Sequence, residues 1–154
     1  IFEMGSGYGH SAFWYLISNA TSIETIYLTE RRDDLLAEFE ELSWPENFRS
    51  KIDYFQGDAY QKIKEVSDID LLLIDGQKSD YKKFLKDHYQ KLSPGCIIII
   101  DNSYWRGSFL DEEQREKYNS AKSIFDLHQY INSSDLFEKV FIPFKDGVSV
   151  LRLK

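Results

Sequence analysis

The chain has 154 residues, 42% of them hydrophobic and 29% charged, which fits one globular domain with a sizeable core and excludes disorder, collagen and coiled coil. Its longest apolar runs, at 71–74 and 97–100, fall far short of the ~18 residues that span a bilayer, so no transmembrane helix is expected. Nineteen basic residues against 26 acidic ones give a net charge of −7, which argues against broad electrostatic capture of nucleic acid or anionic membrane and leaves room for a local basic patch only.

Residues 1–4 read as the tail of a buried strand, with neither an initiator methionine nor a signal peptide, so the sequence is expected to be N-terminally incomplete. Cys96, the single cysteine, cannot pair within the chain, which fits a reducing, cytoplasmic setting. Further strands are predicted at 23–29, 51–55, 69–74 and 96–100, and 136–153 is expected to hold two more, broken near Asp146-Gly147. Between them lie helical patterns at 11–18, 33–42 and 59–65. Tyr81, Phe84, Leu85, His88 and Leu92 share one face of another helix, and Tyr118, Ala121, Ile124, Phe125, His128 and Ile131 share one face of the longest.

Strands alternating with helices imply right-handed crossovers and a parallel sheet, with 71–74 and 97–100 as central strands covered on both sides. The predicted fold is a doubly wound α/β domain covering 1–154. The Lys145-Asp146-Gly147 turn leaves no room for a helix, so the sheet is expected to end in an antiparallel hairpin.

In an open α/β sheet, ligands bind beyond the carboxyl ends of the strands. After the first strand comes Glu3-Met4-Gly5-Ser6-Gly7-Tyr8-Gly9-His10-Ser11, whose alternating glycines suit a tight turn and close approach of backbone to a nucleotide-like ligand. The same turn can be merely structural, and dehydrogenases carry similar ones. Glu30, about 20 residues after Gly9, suits the two hydroxyls of a ribose, the alternative being a helix N-terminal acid. Asp58, in Gln56-Gly57-Asp58-Ala59, suits either an adenine amino group or a helix N-cap. The fourth strand is followed by Asp75-Gly76-Gln77-Lys78 and the fifth by Asp101-Asn102. If these strands pair in parallel, Asp75, Asp101 and Asn102 form an all-oxygen set suited to Mg²⁺, Mn²⁺ or Ca²⁺. His88 and His128 are expected to pack against the core, His10 sits in the glycine turn, and no His/Cys cluster suggests zinc.

These segments, together with Ile26-Tyr27-Leu28-Thr29-Glu30, Leu92-Ser93-Pro94-Gly95, Asp101-Asn102-Ser103-Tyr104-Trp105-Arg106-Gly107 and Pro143-Phe144-Lys145-Asp146-Gly147-Val148-Ser149-Val150, occur in the order seen in cation-dependent, S-adenosylmethionine-dependent O-methyltransferases. The sequence resembles the relatives of catechol and caffeoyl-CoA O-methyltransferases, bacterial members included, over essentially its whole length. The resemblance implies a class I methyltransferase fold, Rossmann-like, with seven mostly parallel strands and an antiparallel last strand. It implies S-adenosylmethionine over the glycine turn, with Gly5, Ser6, Gly7, Tyr8, Gly9 and Ser11 near the methionine portion, Glu30 on the ribose and Asp58 and Ala59 beside the adenine. Glu3, Arg31, Gly57 and Asp75 complete that cofactor set. It further implies Asp75, Asp101 and Asn102 as metal ligands, Lys78 as general base beside Asp75, and Tyr104 and Trp105 near the acceptor or packed on the core. Such enzymes carry about two helices ahead of the first strand, and these are absent here.

The function so implied is methyl transfer to a hydroxyl of a small catechol-like acceptor, in a protein expected to form a homodimer and to need no membrane. Methylation of a hydroxylated tRNA base by the same fold is a second reading. A nicotinamide-dependent dehydrogenase or non-catalytic nucleotide-binding module is a third, against which the oxygen triad and the terminal hairpin argue.

Overall fold

The computed structural model describes residues 1–19 and 21–154, which divide into two compact units, residues 1–66 and 67–154. Together they carry seven strands of a mixed α/β sheet. In the first unit the order is β3-β2-β1, all parallel, with β1 at Phe2–Met4, β2 at Ile26–Glu30 and β3 at Ile52–Gln56. Alternation drives the pairing: Ile26 and Leu28 point inward, and Phe2 opposite Tyr27 and Met4 opposite Thr29 fix the register. Helix α1, His10–Asn19, turns Ala12 and Leu16 toward the strands at a spacing of one helical turn. Helix α2, Asp33–Glu41, does the same with Leu35 and Phe39 and carries Asp33 and Asp34 in its first turn, where the helix dipole favours them. Ala12, Leu16, Ile26, Leu28, Phe39 and Ile52 make one core cluster, each large member contributing about 1.5–3 kcal/mol on burial. Short helices α3, Glu46–Arg49, and α4, Ala59–Lys62, complete the unit, α4 continuing as a 3-10 turn over Ile63–Glu65.

In the second unit the order is β4-β5-β7-β6, with β4 at Ile69–Ile74, β5 at Leu92–Ile100, β6 at Phe137–Ile142 and β7 at Val148–Leu153. β4 and β5 run parallel, whereas β7 is antiparallel to both β5 and β6, so the last strand alone is reversed. The expected terminal hairpin is therefore present. Helix α5, Tyr81–His88, buries Tyr81, Phe84 and Leu85; α6, Glu112–Lys117, buries nothing; α7, Asn119–Ser133, buries Ala121, Ile124, Leu127, His128 and Ile131.

Two strand starts and several short elements differ from the sequence reading: β2 begins at Ile26, not at 23. β5 begins at Leu92, not at 96, because its register against β4 shifts between Ile69 and Leu71: Pro94 has no N–H to give the ladder, and Gly95 takes φ +83°. Leu92 thus belongs to that strand and not to the preceding helix. Helices α3 and α6 and a 3-10 segment over Trp105–Leu110 were not expected, since four-residue pieces and the all-polar Glu112–Lys117 carry no apolar period. Among the described residues, no helix is long and apolar enough to cross a membrane.

Candidate active site

In the first unit the residues singled out after β1, β2 and β3 meet at the carboxyl ends of three adjacent strands. The chain leaves β1 through Gly5, Gly7 and Gly9, whose φ values of +85°, +56° and +84° lie in the left-handed region. Gly9 also needs its lack of a side chain, because a Cβ there would lie 3.0 Å from Phe39 Cδ2 and 3.2 Å from Leu28 Cδ1. The turn is fastened to β2: the Gly5 and Ser6 amides donate to the Thr29 carbonyl at 3.0 and 3.1 Å, and Thr29 Oγ1 donates back to the Glu3 carbonyl at 2.9 Å. The buried Glu3 carboxylate accepts from Ser11 Oγ at 2.5 Å, joining the strand to the start of α1.

Glu30 closes the turn from the other side. Its Oε2 accepts from the Gly7 amide at 3.0 Å and its Oε1 from the Arg32 amide at 3.1 Å. A carboxylate offers about four lone-pair sites, so two remain for hydroxyl donors. The Tyr54 hydroxyl donates to the Gly7 carbonyl at 2.5 Å, and burial, aided by Glu30, pushes that phenol up to about 12, keeping it a donor at neutral pH. Asp58 takes the N-cap position: Oδ1 accepts from the Tyr60 amide at 2.9 Å and caps α4, while Oδ2 pairs with Arg31 at 3.1 Å. Gly57 donates to the Glu30 carbonyl at 2.7 Å, and Ala59 is buried. Tyr8 is exposed and lines an apolar pocket with His10, Phe13 and Trp44.

In the second unit the decisive fact is register. Ile74 of β4 stands opposite Ile100 of β5 in a parallel pair, and the Asp101 amide donates to the Ile74 carbonyl at 3.0 Å, so Asp75 and Asp101 leave neighbouring strands side by side. Asn102 follows in a left-handed conformation, φ +51°, its amide donating to Asp101 Oδ1 at 2.7 Å. Lys78, in the 3-10 turn after β4, donates from Nζ to Asn102 Oδ1 at 2.7 Å and lies 5.5 Å from the Tyr81 ring centre. The hydroxyl of Tyr81 donates to the Gly76 carbonyl, and burial together with the negative charges of Asp75 and Asp101 raises its pKa far above the usual phenol value. The structure thus sets Asp75 beside Asp101 at the ends of β4 and β5 and joins Lys78 to Asn102.

Among the described residues no group of three or more His, Cys, Asp or Glu side chains is gathered as a metal ion would require. The candidate set is instead two carboxylates and one amide. Asn102 Oδ1 accepts from Lys78 Nζ, and a set of three oxygens would suit a hard divalent cation.

The sequence model of a family described as O-methyltransferase matches residues 31–154. The chain belongs to that family. A flavonoid 3',5'-methyltransferase of Vitis vinifera is 25% identical over 113 residues, which cover 66% of this chain and 48% of the grapevine protein, so the chain spans about half the length of that curated relative. A candidate caffeoyl-CoA O-methyltransferase of Staphylococcus aureus superposes with a TM-score of 0.85 at 19% identity, covering 99% of this chain and 75% of the other. An O-methyltransferase of Bacillus cereus, solved in complex with SAH, gives 0.81 at 18%, covering 99% and 73%. At such identities these likenesses show the fold, and that fold is the Rossmann-like α/β methyltransferase fold expected from the motifs.

Three features of the chain escaped the sequence reading. Tyr54 is one of several aromatic residues around β3, and nothing in its spacing marks its bond to Gly7. Tyr81 read simply as part of an apolar helix face. Ser103 and Ser149 stood within motifs with no role assigned, yet both are fully buried and hydrogen-bonded to each other, Ser149 Oγ to Ser103 Oγ, at 2.8 Å. His128 packs in the core as expected, its ring stacked on Phe109 at 4.5 Å, with its Nε2 2.7 Å from the Ser103 carbonyl. Tyr104 also packs on the core, edge-on to Phe109 and His128, and Trp105 stands edge-on to Tyr118.

Proposed function

We propose that this chain forms the catalytic part of an S-adenosylmethionine-dependent, divalent-cation-dependent O-methyltransferase that acts on a hydroxyl of a small catechol-like acceptor. The observation that carries the reading is the placement of Asp75 beside Asp101-Asn102 by the β4–β5 register, with Lys78 Nζ 2.7 Å from Asn102 Oδ1. The glycine turn, belted by Glu30 and Tyr54, supports a nucleoside-bearing ligand: it offers close approach of backbone, and Glu30 has acceptor capacity for a ribose. The S-adenosylhomocysteine-type ligand in the Bacillus cereus relative is of that class.

S-adenosylmethionine would supply the methyl group on a sulfonium that leaves readily, and a divalent cation held by Asp75, Asp101 and Asn102 would lower the pKa of the acceptor hydroxyl. The chain's own task is then chiefly orientation, since the acceptor oxygen must be presented in line with the methyl carbon. Lys78 suits proton removal. It would accept the hydroxyl proton or stabilise the oxyanion, its Nζ held by Asn102 Oδ1. Glu3, buried and bonded to Ser11, holds the start of α1 against the turn and stays out of the chemistry.

The test is methyl-transfer activity of the Asp75→Ala/Asp101→Ala variant on a catechol acceptor with added Mg²⁺. Turnover should fall more than about a hundredfold while S-adenosylhomocysteine affinity stays within about twofold. Full Mg²⁺-stimulated turnover in the double variant would refute the assignment.

A further inference from the structure

We propose that His128 is a positioning residue for the Asp101-Asn102 pair, acting through the carbonyl of Ser103. The inference rests on the reading of Asp101 and Asn102 as cation ligands. Asn102 sits at the end of β5 with φ +51°, a conformation a non-glycine residue keeps only where its surroundings hold it there. The residue that holds it is Ser103, every polar group of which is engaged. Its amide donates to the Gly147 carbonyl at 3.0 Å, its Oγ accepts from Ser149 Oγ at 2.8 Å, and its carbonyl lies 2.7 Å from His128 Nε2. A carbonyl can only accept, so Nε2 carries the proton.

The rest of the imidazole is fixed by packing. It stacks on Phe109, ring centres 4.5 Å apart and planes within 9°, lies edge-on to Tyr104 at 5.4 Å and is tilted against Phe141 at 4.8 Å. Burial holds its pKa below the usual histidine value, so the ring stays neutral and its Nε2–H persists. The clamp therefore joins three elements, α7 through His128, β7 through Ser149 and the hairpin turn through Gly147, onto the residue that directly follows Asp101-Asn102. Gly147 admits Tyr104 there because a Cβ on it would lie 2.4 Å from Tyr104 Cβ. An aromatic core could fill this space with phenylalanine alone. What histidine adds is a single donor aimed at Ser103; partners bonded directly to metal ligands change affinity by about 10–100-fold, and this contact, one residue removed from Asn102, is expected at the lower end of that range.

The experiment is calorimetric titration of Mn²⁺ into the full chain, wild type against His128→Phe and His128→Gln, with S-adenosylhomocysteine affinity and thermal unfolding measured alongside. His128→Phe keeps the stacking and loses the donor; it should weaken Mn²⁺ about tenfold and leave S-adenosylhomocysteine affinity within about twofold. His128→Gln restores a donor and should recover most of the loss. Ser149→Ala, which removes one hydroxyl from the same clamp, should weaken Mn²⁺ about threefold and serves if His128→Phe does not fold. Unchanged Mn²⁺ affinity in a folded His128→Phe, or in Ser149→Ala where that variant stands in, overturns the proposal. Absence of Mn²⁺ binding in the wild type, or binding that Asp101→Ala leaves intact, overturns the underlying ligand assignment as well.

Discussion

The candidate site of residues 1–66 is made mostly of backbone, while that of residues 67–154 is made of side chains. In the first, left-handed glycines, the Thr29 carbonyl and the Gly7 amide create the shape, and Glu30 and Tyr54 brace it. In the second, the strand register sets Asp75 beside Asp101, and Lys78 is hydrogen-bonded to Asn102. The difference teaches that substitutions in the two regions should fail differently. Side-chain removal in the second unit should abolish turnover and spare folding and cofactor affinity; in the first it should lower cofactor affinity or stability with graded effects.

The largest effect after the double aspartate variant is expected at Lys78. Lys78→Met should lower kcat by about 10²–10⁴-fold, the range for loss of a general base, with S-adenosylhomocysteine affinity within twofold by calorimetry. A kcat within threefold of wild type would remove Lys78 from the chemistry. Next comes Glu30→Ala, which frees the Gly7 and Arg32 amides and deletes the acceptor proposed for the ribose; S-adenosylhomocysteine should bind about tenfold more weakly, roughly 1.4 kcal/mol, with kcat at saturation little changed. A fall in kcat without a fall in affinity would break the division between the two regions. The smallest effect belongs to Asp58→Ala, where loss of the α4 cap should cost about 1 kcal/mol in denaturant unfolding; the Arg31 pair, half exposed, adds little. A loss of affinity well beyond that cost would show Asp58 touching the ligand as well as capping the helix.

The sequence was most legible where chemistry and topology shared one signal. The alternating glycines at 5, 7 and 9 marked both a strand end and a turn, and the apolar runs at 71–74 and 97–100 marked the paired strands whose ends carry Asp75 and Asp101. The reversed last strand followed from the short Lys145-Asp146-Gly147 turn. What stayed hidden depends on contacts between segments far apart in the chain. Neither the bond from Tyr54 to Gly7, 47 residues away, nor the convergence of Ser103, His128 and Ser149 leaves a periodic trace. Asp58 illustrates a third case: one residue type suits a cap and a ligand equally, and only coordinates reveal that the cap is made. The bulge at Pro94-Gly95 hid the start of β5, because a proline inside a strand reads as its boundary.

The most direct measurement is calorimetric titration of the full chain with S-adenosylhomocysteine, with and without Mg²⁺, beside NAD⁺ as a control. One S-adenosylhomocysteine should bind per folded chain, with no heat from NAD⁺. A folded chain that ignores S-adenosylhomocysteine, or binds NAD⁺ in its place, would contradict the proposed function.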